Sequence, residues 1–332
     1  MKRETNLIEK IADPDNLRLA YWKAQRGKSC KQDVLLFQKQ LDANLLSLIT
    51  QIQQASVIVG NYTYFTVFDP KQRLICAAAF PERVLHHAIM NICTANFEKY
   101  QLFDSYASRL GKGSYAALQR AMYYQRKYKW FLKLDVRKYF DSIDHQILIE
   151  LLSSRFKETK LNNIFYDIID SYHVETNKGL PIGNLTSQYF ANHYLAVSDH
   201  YIKEQLKIEG FVRYMDDMVL WDNDKDALNN KGKQLQSFIK TFLKLELKPF
   251  CLNTTQLGLP FLGYTIYRNM LRLNRRSKKR FIIKLNKYEE NLKINYWNQT
   301  EFQKHVLPLL AFTKHADSFC FRKKCMEKIY GQ

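Results

Sequence analysis

Two adjacent acids, Asp216 and Asp217, interrupt the apolar run RYMDDMVLW. Burying one carboxylate without a partner is costly, and burying two side by side costs more. The pair therefore marks either a hairpin turn, which Asp favours, or the seat of a divalent cation that neutralises both. A third acid, Asp135, ends the apolar stretch KWFLKLD and is followed by VRKYF. If the two strands are neighbours, three carboxylates converge at one end of a sheet. Two magnesium ions about 4 Å apart need such a cluster for in-line displacement at a phosphoryl centre. Magnesium takes oxygen ligands and keeps several waters, so few carboxylates suffice. Neither stretch contains His or Cys.

The elements that must hold these acids are read from periodicity. The first sixty residues predict helices: DPDNLRLAYWKAQRG has an Asp cap, a Pro in the first turn and a Gly stop. DVLLFQKQLDANLLSLITQIQQ repeats apolar residues at helical spacing. NYTYFTVFDPKQRLICAAAF predicts a hairpin turning at DPKQ, and PERVLHHAIMNICTANF a helix. The strand ending at Asp135 leads to a helix from Asp144, which reads as its cap, as Asp141 reads as a turn residue. A Gly/Pro-marked loop, NKGLPIGNLTSQ, opens another helix. Strand, acidic turn and strand follow, then helix DALNNKGKQLQSFIKTFLKLEL and hairpin LPFLGYTIYRNMLRLN; from Arg275 onward three helices are predicted. The order ββ-α-β-α-α-ββ-α-ββ-α is α+β, with an antiparallel sheet and helices on one side.

Of 332 residues, 51 are basic and 32 acidic, a net charge of +19 that attracts polyanions. No apolar run of 18 residues and no signal-like start argue for a membrane. The six cysteines form no CxxC pair, so a reducing cytoplasm and free thiols are expected. His315, Cys320 and Cys325 match no zinc spacing, and the two cysteines read as packing thiols.

YMDD, preceded about eighty residues earlier by LKLDVRKYFDSIDH, resembles the palm of reverse transcriptases. The resemblance extends in family order through VFDPKQRLICA, YASRLGKGSYAAL, GLPIGNLTSQYFANHYL and LPFLGYTIY. It implies a right-hand polymerase fold: an N-terminal helical extension (1–60), fingers (61–132), a palm (133–267) and a basic helical thumb (268–332), without an RNase H domain. Within the family, Pro181-Ile182-Gly183 and IGNLTSQ resemble the enzymes of diversity-generating retroelements, which copy RNA unfaithfully at adenines. The alternatives are a retron-like or defence-associated enzyme, or a non-catalytic RNA-binding protein with a decayed polymerase fold.

What the resemblance implies for residues follows. Asp135, Asp216 and Asp217 are catalytic ligands of two Mg2+ ions. Lys71 and Arg73 meet the deoxynucleotide triphosphate, where a basic fork suits phosphate. Phe140 lies beneath the incoming sugar and excludes a 2′-hydroxyl; as a plain residue it would be core. Ile182, Gly183 and Gln188 form the floor under nucleotide and template base. Phe261, Leu262, Gly263 and Tyr264 hold the primer end; without the resemblance they are a hairpin with Gly263 at a bulge. Lys248 is a candidate proton donor to pyrophosphate. Arg268 to Gln332 carries 16 basic and 5 acidic residues. There Phe281, Ile282, Leu285, Tyr288 and Leu292 are expected on one face of a helix, with Lys278, Lys284 and Lys287 on the others, gripping nucleic-acid backbone. The expected partners are a template RNA, a DNA or RNA primer, dNTPs and a small basic helical accessory variability protein.

Overall fold

The structure, a computed structural model, describes residues 6–68 and 71–330, with the side chains of 328–330 excepted; Asp69 and Pro70 of the expected DPKQ turn lie outside the described residues. Four helices come first: α1 (Leu7–Ile11), α2 (Pro14–Gln25), α3 (Gln32–Lys39) and α4 (Leu41–Gln54). The strands β1 (Tyr62–Val67) and β2 (Arg73–Ala78) precede α5 (Phe80–Glu98) and α6 (Ser114–Lys127). Next are β3 (Trp130–Asp135), α7 (Tyr139–Ser142), α8 (His145–Arg155), α9 (Thr159–Asp170) and α10 (Leu185–His200). The strands β4 (Gly210–Tyr214) and β5 (Asp217–Asp222) flank the acidic turn, and α11 (Lys225–Phe242) follows. The chain closes with β6 (Cys251–Thr254), β7 (Leu259–Phe261), β8 (Tyr264–Ile266), β9 (Leu271–Leu273), α12 (Arg275–Lys293), α13 (Gln299–Lys314) and α14 (Phe319–Tyr330). No described helix is long and apolar enough to cross a membrane.

Several elements follow local rules. Asp13 accepts the amides of Asp15 and Asn16 to start α2, with Pro14 in its first position. Asp144 caps α8 by accepting from Ile147 N. The stretch of helical spacing over residues 33–54 forms two helices, broken at Gln40. Asn44 Nδ2 donates to the Phe37 carbonyl at 2.9 Å, partnering a group near the break. The α6, α7, α9 and β6 elements are additions to the predicted order, Asp141, expected in a turn, lies in α7, and the last predicted hairpin is a three-stranded sheet, β7-β8-β9.

The chain forms two compact units that interleave along the sequence. The first comprises Met1–Phe103, Asp135–Gln205 and Gln234–Lys248. It contains α1–α5 and the antiparallel β1–β2 hairpin, registered from Tyr62↔Ala78 to Val67↔Arg73. The second comprises Asp104–Leu134, Leu206–Lys233 and Pro249–Gln332. Its larger sheet has the strand order β4-β5-β3-β6, with β4–β5 and β3–β6 antiparallel. Under it lies a core that includes Phe131, Val212, Val219, Trp221, Phe261 and Tyr264. Each such fully buried side chain contributes on the order of 1.5–3 kcal/mol. The polar atoms in this core are paired: Trp221 Nε1 donates to Gln125 Oε1 at 2.8 Å, and Gln125 Nε2 to the Ile266 carbonyl at 2.9 Å.

Candidate active site

The acidic turn belongs to the second unit. Tyr214 pairs with Asp217, so only Met215 and Asp216 form the turn, and Asp217 is the first residue of β5. Turn preference thus accounts for Asp216 but not for Asp217. Met215 has φ +56°, left-handed backbone that costs a residue with a side chain on the order of 1–3 kcal/mol. Asp217 is three-quarters buried and meets Lys133, whose Nζ lies 3.0 Å from Oδ1. The same ammonium donates to the Pro260 carbonyl at 2.9 Å. Sequence reading passed over Lys133. Its one local signal was a cation inside an apolar strand, two residues before Asp135 and hence on the same strand face.

Asp135 belongs to the first unit, where Lys248 holds it twice. Lys248 N donates to the Asp135 carbonyl at 2.9 Å, and Lys248 Nζ to Asp135 Oδ1 at 2.7 Å. Lys248, expected as a proton donor, is thus an ion-pair partner of a proposed metal ligand.

The proposed nucleotide residues also lie in the first unit. Phe140 is half-buried in α7, while neighbouring Tyr139 takes the core position at 3% exposure. The Phe140 carbonyl accepts from Leu180 N at 2.8 Å, and two residues on, the Ile182 carbonyl accepts from Cys76 N at 2.8 Å. The loop is therefore stitched to α7 and to the edge of β2. Gly183 has φ +130°, and a Cβ there would meet the Cys76 carbonyl and Ile75 Cγ2, each at 2.9 Å. Its close approach is to β2. Lys71 and Arg73 are exposed at the turn and start of β2, and Gln188 is exposed in the first turn of α10. These contacts join Phe140, Ile182 and Gly183 to the hairpin strand β2 that Arg73 begins. At this junction burial pushes the Cys76 thiol up, with Tyr172 hydrogen-bonded to it, and pushes the Asp141 carboxyl up.

In the second unit, Phe261 pairs directly with Tyr264, and Leu262 and Gly263 have φ +49° and +89°. Gly263 is thus in a two-residue turn of the kind hairpins favour, not at a bulge. Its carbonyl accepts Ser277 Oγ at 2.7 Å, fixing the turn to the start of α12. Phe261 and Tyr264 are core residues; Leu262 and Gly263 are half-buried. The helices α12–α14 enclose their own cluster of Phe281, Leu285, Phe302 and Val306, with Tyr288, Leu292 and Cys325 against it. Two expectations are corrected. Ile282 is 41% exposed, turned from the apolar face. Lys278 shares that face, three residues before Phe281 and seven before Leu285, and its Nζ stands 5.7 Å from the Phe321 ring centre. Lys284 is half-buried, and Lys287 is exposed. Cys320, expected to pack, is exposed.

Residues 68–266 match the family described as reverse transcriptase (RNA-dependent DNA polymerase). The chain belongs to the reverse transcriptase family. Among curated relatives, this chain is similar to the group II intron-encoded protein LtrA of Lactococcus lactis subsp. cremoris, 26% identical over 145 residues, 42% of this chain and 24% of LtrA. It is also similar to the protein YkfC of Escherichia coli, 24% identical over 131 residues, 38% of this chain and 28% of YkfC. The matched segment spans under a third of each. The structure of apo telomerase from Candida tropicalis, truncated from the C-terminal domain, superposes with a TM-score of 0.50 at 14% identity, covering 70% of this chain and 60% of that one. The fold is the α+β right-hand polymerase fold.

Among the described residues no three His, Cys, Asp or Glu side chains are gathered as a metal site. The donor chemistry nonetheless fits magnesium. The three acids offer hard oxygens only, and two of them already take a cation, Lys248 on Asp135 and Lys133 on Asp217.

Proposed function

We propose that this chain is an RNA-directed DNA polymerase that makes error-prone, adenine-mutagenic cDNA in a diversity-generating retroelement. The observation that carries the polymerase reading is the strained Met215–Asp216 turn, which sets two acids at a strand start within the segment that matches the family. Asp135, Asp216 and Asp217 would hold two Mg2+ ions. Bound magnesium would make the primer hydroxyl a better nucleophile and offset charge on the transferred phosphate. Lys71 and Arg73 neutralise the triphosphate, and Phe140 bars a 2′-hydroxyl from the sugar position. Ile182, Gly183 and Gln188 support the nascent pair; Phe261 to Tyr264 carry the primer end. Lys278, Lys284 and Lys287 attract the duplex backbone, a salt-sensitive and sequence-blind grip. The partners are a template RNA, a primer and a small basic accessory protein, which has a +19 chain and its RNA to join.

The retroelement subtype is supported by Ile182, which stands between Pro181 and Gly183. Its backbone is committed to β2, so what it offers a base pair is an aliphatic side chain, with shape and dispersion but no hydrogen bond. A polar contact there would contribute on the order of 1 kcal/mol, roughly fivefold in a rate ratio. The test is sequencing of cDNA copied from a defined RNA by the parent and Ile182→Gln. Errors concentrated at template adenine and reduced by Ile182→Gln support the subtype. A parent spectrum without adenine bias returns the chain to the retron-like reading, and no extension at all removes the polymerase reading.

A further inference from the structure

Beneath the acidic turn, Arg213 is wholly buried. A guanidinium stays charged in a protein, so chain folding must give this cation specific acceptors. One acceptor is in the turn itself: Arg213 Nη1 donates to the Met215 carbonyl at 3.1 Å. Met215 is the residue whose left-handed backbone makes the turn. The main chain of Arg213 is held independently, its N donating to the Asp104 carbonyl and its carbonyl accepting from Tyr106 N, each at 2.9 Å. A fixed backbone and a buried side chain leave the guanidinium no freedom to follow a turn that relaxes. We propose that Arg213 is the positioning residue of this site: it clamps the Met215 carbonyl and so keeps the strained turn that sets the directions of Asp216 and Asp217. The role rests on the polymerase reading, because positioning is measured through nucleotide addition.

The clamp makes a prediction that core packing does not. Glycine adopts positive φ without steric cost, so a Met215→Gly background should need Arg213 less. The full chain is assayed for single-turnover dTTP incorporation on poly(rA)·oligo(dT) with magnesium, and for amide exchange of the 210–222 segment without nucleotide. Arg213→Lys is expected to lower the maximal rate roughly tenfold or more, with the nucleotide KM and template–primer Kd within about twofold. In the Met215→Gly background the same change is expected to cost about threefold or less. Amide exchange in the segment should quicken in Arg213→Lys, and by less in the glycine background. Equal rate losses in both backgrounds, or a loss carried by KM, overturn the proposal. If Arg213→Lys does not fold, Arg213→Gln, which keeps a donor for the carbonyl, is read in the same two backgrounds by the same criteria. A parent without incorporation removes the polymerase reading, and amide exchange then decides whether Arg213 holds the turn: equal quickening in both backgrounds overturns it.

Discussion

Lys133 Nζ lies 3.0 Å from Asp217 Oδ1 and 2.9 Å from the Pro260 carbonyl oxygen, so one ammonium ties the first residue of β5 to the strand that leads into the Phe261–Tyr264 turn. The acid proposed for catalysis and the hairpin proposed for the primer end share this cation within one unit. Lys133→Met is expected to slow single-turnover extension roughly fivefold, the loss from about 1 kcal/mol of a partly screened ion pair. Extension rates across a magnesium series check this. An unchanged rate at every concentration would remove Lys133 from the site.

Asp216→Asn is expected to abolish DNA synthesis while RNA affinity stays within a few-fold. An amide cannot replace a carboxylate as a ligand for a hard cation, and the lysines proposed to attract the backbone, Lys278, Lys284 and Lys287, are untouched. Primer extension and filter binding on one RNA measure the two quantities. Near-parental extension with magnesium would refute the metal assignment.

For Phe140→Ala the expected outcome is incorporation of ribonucleotides. Phe140 is half-buried and leaves the core position to Tyr139, so its removal opens surface space rather than a core cavity. Extension with ribonucleotides alone is the assay. Unchanged discrimination would mean that the ring does no gating.

Glu82 sits at 2% exposure at the start of α5, accepting Gly60 N at 3.0 Å. Burial pushes its pKa up to about 7 and pushes that of neighbouring His86 down to about 3. Both are therefore neutral near pH 5. A carboxyl with a raised folded pKa stabilises most below its unfolded value of 4.5 and loses that contribution as pH rises through about 7. Glu82→Gln should therefore gain stability relative to the parent as pH rises from about 5 to 8, by at most about 3 kcal/mol. The His86 contribution is lost as pH falls below its unfolded 6.5 and is common to both proteins. Thermal midpoints across that range give the difference. A gap that narrows as pH rises would mean that Glu82 is ionised and paired with His86, whose Nε2 is 3.5 Å from its Oε1.

The sequence by itself determined what local chemistry can specify. Asp13 and Asp144 cap helices because a side chain reaches an amide only two or three residues away. The β1–β2 hairpin followed from alternating β-branched and aromatic residues, and the three closing helices from apolar spacing. The ordered motifs around Asp135 and Asp216 were enough to name the family. Tertiary structure decided everything that joins distant residues. Lys133 and Asp217 are 84 positions apart, Lys248 and Asp135 113 apart, and neither spacing leaves a local trace. The short strand β6, with its polar CLNT, exists because β3 has an edge for it to pair with. Chain topology, too, buries Arg213 where its charge meets the Met215 carbonyl. Caps and periodicity act within a few residues, whereas ion pairs, strand partners and buried charges depend on which segments the fold brings side by side.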